Sequence, residues 1–113
     1  MLQIQLPLKP LPVSQAYFGK WKKTEKYRQF ETDALWLLPR NKKVSGEVEV
    51  FFRFYLKYYK STDCDNLIKT VQDCLVKGGL IDDDKYIIAL HAQKFPSVAD
   101  YMEIDIVPFS PVK

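Results

Sequence analysis

Alternation of apolar and polar residues predicts two strands in the first half of the chain. Apolar residues alternate over positions 2–8 until prolines begin at Pro7, as in a strand that runs into an irregular loop. The run EVEVFFRFYLKYY, residues 47–59, shows the same period of two over a longer stretch. One face of this second strand is apolar throughout, and the other is only half polar because it carries Phe51 and Tyr55. We therefore expect either a helix of this chain or a second subunit to cover that face.

Two segments carry apolar residues at steps of three and four, the period of an amphipathic helix. The first covers residues 24–38 and stops before Pro39. The second covers residues 65–77 and is followed by Gly78-Gly79, which can supply the left-handed conformation that a helix C-terminus favours.

The last third of the chain predicts two more strands, residues 86–95 and 101–107, joined by a hairpin connection at residues 96–99. The order is strand, helix, strand, helix, strand, strand, without a repeat or a linker. This order predicts one α/β (α+β) domain over residues 1–113, with two helices packed on a mixed sheet.

Composition narrows the functional class. With Cys64 and Cys74 outside any C-x-x-C pair and His91 as the one histidine, the chain has no plausible zinc ligand set. The cysteine usage favours a reducing compartment. No stretch approaches the length of a membrane span, and the N-terminus lacks a signal-peptide pattern, so we expect a cytoplasmic protein without a membrane partner.

Charge is segregated although the net charge is only +3. Basic residues crowd residues 20–28, and two more lie shortly before Asp63, whereas acids concentrate in residues 62–85. A basic surface beside an acidic pocket suits a polyanion, although for the charge cluster alone a solvated helix face is the simpler explanation. The candidates for DNA contact are Lys20, Lys22, Lys23, Lys26, Arg28, Lys57 and Lys60.

The acidic residues form two clusters on either side of the second predicted helix. Asp63 lies just before the helix, Asp65 and Asp73 share its polar face, and residues 82–84 are three consecutive aspartates in the turn after it. Each cluster alone has a structural explanation, because Asp is a favoured N-cap and turn residue.

Two features favour chemistry. Asp63 and Asp65 repel each other unless a cation lies between them, and Lys69 can supply part of that compensation. Carboxylates without histidine are also the hard oxygen ligands that Mg²⁺ prefers, and a metal so held can activate water for phosphodiester hydrolysis. A phosphate-cradling glycine-rich loop is missing from the sequence, so we expect no nucleotide cofactor.

The run DCDNLIKTVQDCLVKGGLIDDD, residues 63–84, resembles the signature of the RusA family of Holliday junction resolvases. It combines D-x-D-N, a Lys four residues on, an Asp four further on, a Gly and a following D-D. The resemblance implies a small homodimeric, Mg²⁺-dependent endonuclease, for which Mn²⁺ can substitute, encoded by a bacterium or a phage. Such an enzyme binds four-way DNA junctions by shape and resolves them with paired symmetric nicks, in DNA recombination and repair.

Position by position, the resemblance implies that Asp63, Asp65 and Asp84 bind the metal and that Lys69 is the essential basic residue. It also makes Asp73 and Asn66 supporting residues, with Asp73 expected to orient Lys69. The partner of Asp84 stays open, because a shift of one residue exchanges Asp83 for Asp82.

Two departures from the family pattern affect DNA recognition. PVSQAY, residues 12–17, has Gln15 and Ala16 where an Asn is expected, and only Lys57 and Lys60 stand where members carry a dense basic run. These departures keep two alternatives open: a broader nuclease of branched DNA and forks, and a non-catalytic protein on the same fold that binds branched DNA.

Overall fold

The long alternating segment forms one of the two inner strands of a four-stranded sheet in a computed structural model, which describes residues 1–110. This strand is β4 (Val48–Leu56), and the others are β1 (Leu2–Leu6), β5 (Ile87–Pro96) and β6 (Tyr101–Pro108). The sheet order is β1-β6-β4-β5, with β5 parallel to β4 and β6 antiparallel to both β4 and β1. A separate pair, β2 (Tyr17–Phe18) and β3 (Lys22–Lys23), closes the loop after β1.

The predicted hairpin between the last two strands is wrong, because β4 lies between β5 and β6. Their connection instead crosses the end of β4, where Ser97 donates its backbone N–H to the carbonyl of Leu56 and Asp100 accepts from the N–H of Lys57. Turn residues indicate where a chain reverses, but they do not decide which strand it then pairs with.

The helices are α1 (Glu25–Leu37) and α2 (Ile68–Lys77). Thr24 caps α1 by accepting a hydrogen bond from the N–H of Tyr27, as expected for a β-hydroxyl residue at an N-cap. The second helix begins later than predicted, because Cys64–Leu67 forms a 3₁₀ turn before α2. Gly79 adopts φ 75° after the helix end, which confirms its predicted role in ending the helix.

Both helices pack on the same face of the sheet. Their buried side chains include Phe30, Ala34, Val71 and Leu75, which share one core with the apolar face of β4. Neither helix is long and apolar enough to cross a membrane. The observed mixed sheet with two helices confirms the predicted α+β class.

The other face of the sheet carries stacked rings and ion pairs. The Tyr55 ring stacks on Phe95 and on Tyr101, with centroid distances of 5.0 and 4.5 Å. Beside them, Arg53 donates to Glu103 and Asp105, each at 3.0 Å. Neither helix packs on this face. Of the two expected covers, a helix of this chain therefore does not explain the aromatic residues there.

Candidate active site

The acidic residues lie around α2, the crossover helix between parallel strands β4 and β5. Asp63 and Asp65 belong to the chain entering α2, whereas Asp83 and Asp84 belong to the chain leaving it towards β5. The two acidic clusters therefore lie at opposite ends of α2 in the chain. The side chains on α2, between the two clusters, are what can link them.

Lys69 lies between the clusters, in the first turns of α2. Its Nζ donates to Asp73 Oδ1 at 3.1 Å, one helical turn further on. The hydrogen bond to Asp73, helped by the negative charge of Asp84, raises the pKa of Lys69 above its ordinary value. Asp73 from α2 itself and Asp84 from the segment after it therefore both favour the protonated amine.

Tyr27 fixes the other oxygen of Asp73. Its hydroxyl donates to Asp73 Oδ2 at 3.1 Å from a side chain on α1 that is only 1% exposed. Burial, with the charge of Asp73 nearby, raises the pKa of Tyr27 well above its usual range, so the phenol remains a donor. With both oxygens occupied, the Asp73 carboxylate holds Lys69 in one orientation.

Three carboxylates are free of protein partners. The side chains of Asp63, Asp65 and Asp84 accept no hydrogen bond and form no ion pair with any residue among 1–110. Asp63 stands at the N-cap of the 3₁₀ turn, yet its side chain makes no capping bond. The capping explanation therefore does not account for Asp63.

These free oxygens have the ligand chemistry that Mg²⁺ prefers. Over the described part of the chain, however, no group of three or more His, Cys, Asp or Glu residues is arranged so that it could hold a metal ion. The carboxylate oxygens are thus the right type of ligand for a hard divalent cation. The side chains of residues 1–110 by themselves do not form a complete coordination site for it.

The three consecutive aspartates have different surroundings. Asp82 forms an ion pair with Lys43 at 2.7 Å and accepts from the N–H of Gly46 at 2.8 Å. That backbone bond and the lysine lower the pKa of Asp82. Asp83 accepts from the N–H of Asp84 and lines the same cavity as Asp84, whereas Asp82 is occupied by Lys43 and Gly46, so Asp83 is the more available neighbour of Asp84.

Two polar side chains attach the N-terminal proline-rich loop to this region. Asn66 donates to the hydroxyls of Thr62 and Ser14, at 2.9 and 3.4 Å, and accepts from the N–H of Ser14. Thr70, which is fully buried in α2, donates to the carbonyl of Leu11 at 2.8 Å. Asn66 thus ties the loop to the segment that enters α2, and its supporting role in the site stays a prediction.

Lys94 holds the segment that leads to Asp63. From β5, its amine donates to the carbonyls of Tyr59 and Thr62, both at 2.7 Å. Because Thr62 directly precedes Asp63, this contact fixes the approach of the chain to the first acidic residue.

Sequence reasoning missed Tyr27, Thr70 and Lys94. The helical spacing of residues 24–38 marks Tyr27 only as one of the apolar positions, and its hydroxyl contact with Asp73 spans 46 residues of sequence. No local pattern marks Thr70 or Lys94 either, because their partners lie 59 and 32 or more residues away.

The basic candidates differ in availability. Lys23 is engaged by Glu31 at 2.9 Å and lies over the Tyr27 ring, so its amine is less available to a ligand than those of the other candidates. The other candidates are exposed, and Arg28 forms only a long ion pair of 3.7 Å with Glu25. The exposed candidates are Lys20, Lys22, Lys26, Arg28, Lys57 and Lys60.

Comparison with known proteins agrees with the motif. The family model described as "Endodeoxyribonuclease RusA" matches residues 7–107. The chain belongs to the RusA family. A curated relative, the crossover junction endodeoxyribonuclease RusA of Aquifex aeolicus (strain VF5), is 28% identical over 100 residues, covering 82% of this chain and 79% of that protein. The predicted family and the endonuclease class are thereby confirmed, and the RusA motif runs through the region built around α2.

Proposed function

We propose that this RusA-family endonuclease resolves four-way DNA junctions by a pair of symmetric nicks. The observation that carries the proposal is Lys69, which donates to Asp73 and feels the charge of Asp84, on a helix with partnerless carboxylates at both ends, in a chain of this family. A relative named for crossover junction cleavage supports the choice of substrate.

Asp63, Asp65 and Asp84 are the proposed ligands of Mg²⁺, with Mn²⁺ as a substitute, and Asp83 is the adjacent carboxylate. Because these side chains do not form a ready three-ligand group among the described residues, they would have to come together around the bound ion. When bound, the metal would supply an activated water and neutralise charge on the scissile phosphate. Carboxylates that already have a protein donor, such as Asp73 and Asp82, are less suited to this role.

Lys69 acts as a cation in this proposal. Its amine is half exposed and can approach a phosphate oxygen, while Asp73 keeps it protonated and aimed. Tyr27 supports the arrangement from the core by holding the second oxygen of Asp73. Lys57 and Lys60 are the basic residues nearest in sequence to Asp63, and we assign them to phosphate contact with the more distant Lys20, Lys22, Lys26 and Arg28.

A homodimer supplies the two sites that paired cuts require, and two-fold symmetry matches the approximate symmetry of a junction. We assign the interface to the open face of the sheet, where Phe51 stacks on His91 and Tyr55 stacks on its neighbours. Light scattering should give twice the monomer mass of 13.3 kDa, and Phe51→Asp should give the monomer. A wild-type monomer would contradict the assignment.

The decisive experiment compares wild type with Asp65→Asn on a labelled four-way junction, a fork and a linear duplex, with and without Mg²⁺. Asp65 has no protein partner, so its replacement should abolish nicking without loss of junction binding. Asp82→Asn is the matched control, because Asp82 is tied to Lys43 and Gly46 and should remain dispensable for nicking.

The outcomes separate the candidate functions. Symmetric nicks in the junction support resolution, and preferential cutting of forks indicates a broader branched-DNA nuclease. Binding without cutting by the wild type would select the non-catalytic alternative, which the small number of basic residues before Asp63 favours. Equal nicking by Asp65→Asn would refute the assigned site.

A further inference from the structure

A cavity of about 620 Å³ lies between the proline-rich loop and the segment that leads into α2. One wall comes from the loop, with residues 9–12, 14 and 15, and the other comes from Tyr58, Ser61, Thr62 and Asn66. Its volume falls in the range typical of sites for small molecules, roughly 300–1,000 Å³. It has room for a nucleotide.

The cavity is lined by apolar side chains at its floor and by polar side chains on its walls. Its floor is apolar and belongs to the core, with Phe30, Leu56 and Leu67. Its walls carry hydroxyl and amide groups that can meet the edge of a base or a sugar, and these are Ser14, Gln15, Ser61, Thr62 and Asn66. An apolar floor with polar walls suits a flat heterocycle better than an ion or a chain of apolar side chains.

The remaining lining residues suit an anionic ligand with an aromatic ring. Lys9 and Lys26 are exposed and contribute positive charge. Tyr58 is 74% exposed, so its ring offers a free surface for stacking. The one acid of the lining, Asp100, already accepts from the backbone N–H of Lys57.

The position of the cavity relates it to the nicking site. Thr62 and Asn66 line it, and these two residues flank Asp63 and Asp65 in the chain. A nucleotide held there would be a near neighbour of the phosphate presented to the two carboxylates.

We propose that this cavity binds one unstacked nucleotide of the cleaved DNA strand, with its base on Tyr58 and its phosphates beside Lys9 and Lys26. The proposal rests on the proposed function and deepens it by naming what the site holds beside the scissile phosphate. A base that is already unpaired or weakly stacked at a branch point is the least costly to extract. The cavity would therefore contribute to the preference for branched DNA over a linear duplex.

The test is a double-mutant cycle on DNA binding in EDTA, where nicking is not needed. A set of four-way junctions carries a single abasic residue, one at each position within a few nucleotides of the branch. At one position the abasic residue should weaken binding by wild type about fivefold or more. The same abasic residue should weaken binding by Tyr58→Ala less than twofold, because the stacking contact is already gone.

Trp36→Ala is the control. Trp36 is 75% exposed, like Tyr58, but it lines a different cavity with Thr32 and Arg40. It should keep the full abasic penalty at the sensitive position.

Each outcome bears on a separate claim. If the junction binds and every abasic position weakens wild type and Tyr58→Ala equally, the cavity does not bind a nucleotide. The proposed function is unaffected by that result. Absence of junction binding by the wild type overturns both proposals. A change of oligomeric state in Tyr58→Ala would identify the cavity as an interface between copies and would also overturn the proposal.

Discussion

Thr70→Val tests how the proline-rich loop is fixed to α2. Pro10 and Pro12 have no backbone N–H, so this part of the loop cannot be held by a regular strand ladder. Thr70 is fully buried, and its hydroxyl donates to the carbonyl of Leu11 at 2.8 Å. Valine has nearly the same shape, so the change removes the hydrogen bond without opening a cavity.

The expected loss is about 1–2 kcal/mol in the free energy of unfolding, because the Leu11 carbonyl loses its donor. We take the lower half of the usual penalty because Leu11 is only partly buried and water can reach its surroundings. For a domain of this size, the loss should lower Tm by roughly 5 °C per kcal/mol. Denaturant and thermal unfolding followed by circular dichroism measure both quantities.

Thr32→Val is the matched control. Thr32 makes the same type of bond, from its hydroxyl to the carbonyl of Arg28, but on the exposed face of α1. The same chemical change there should alter stability by less than about 0.5 kcal/mol. If Thr70→Val were as stable as wild type, the Thr70 contact would not be what fixes the loop, and the reasoning would fail.

Three further predictions follow from other contacts. Asp73→Asn removes the main cause of the raised pKa of Lys69, so that pKa should fall. Because the proposed mechanism uses the protonated amine, the alkaline limb of the single-turnover pH–rate profile should then move to lower pH. Lys94→Met leaves two carbonyls before Asp63 without their donor, and it should slow nicking by roughly tenfold or more while junction affinity changes little. Gly79→Ala should cost about 1 kcal/mol in unfolding experiments through backbone strain alone, since φ is 75° and a Cβ would meet nothing within 4 Å.

The controls and contrary results are specific to each change. An unmoved alkaline limb in Asp73→Asn would show that Lys69 does not act through its charge. Lys42→Met, at an exposed position outside the site, should leave nicking unaltered; an equal loss there would remove the argument for Lys94. Wild-type stability in Gly79→Ala would contradict the strain at that helix end.

Local sequence determined the elements and the chemistry of the site. The period of two in β4 fixed which of its residues are buried, because successive side chains of a strand point to opposite faces. Thr24 and Gly79 mark helix ends by chemistry that acts within a few residues. The motif of residues 63–84 gave the acidic and basic residues because it is one continuous run.

The three-dimensional arrangement decided what joins distant parts of the chain. The alternation of apolar and polar residues does not indicate which strands pair. The position of β4 between β5 and β6 is therefore known only from the structure. Spacing also left Asp82 and Asp83 equivalent, until the contact of Asp82 with Lys43 and Gly46 distinguished them. The hydrogen bond from Tyr27 to Asp73 joins two helices, and such contacts depend on how elements pack together, which no local period records.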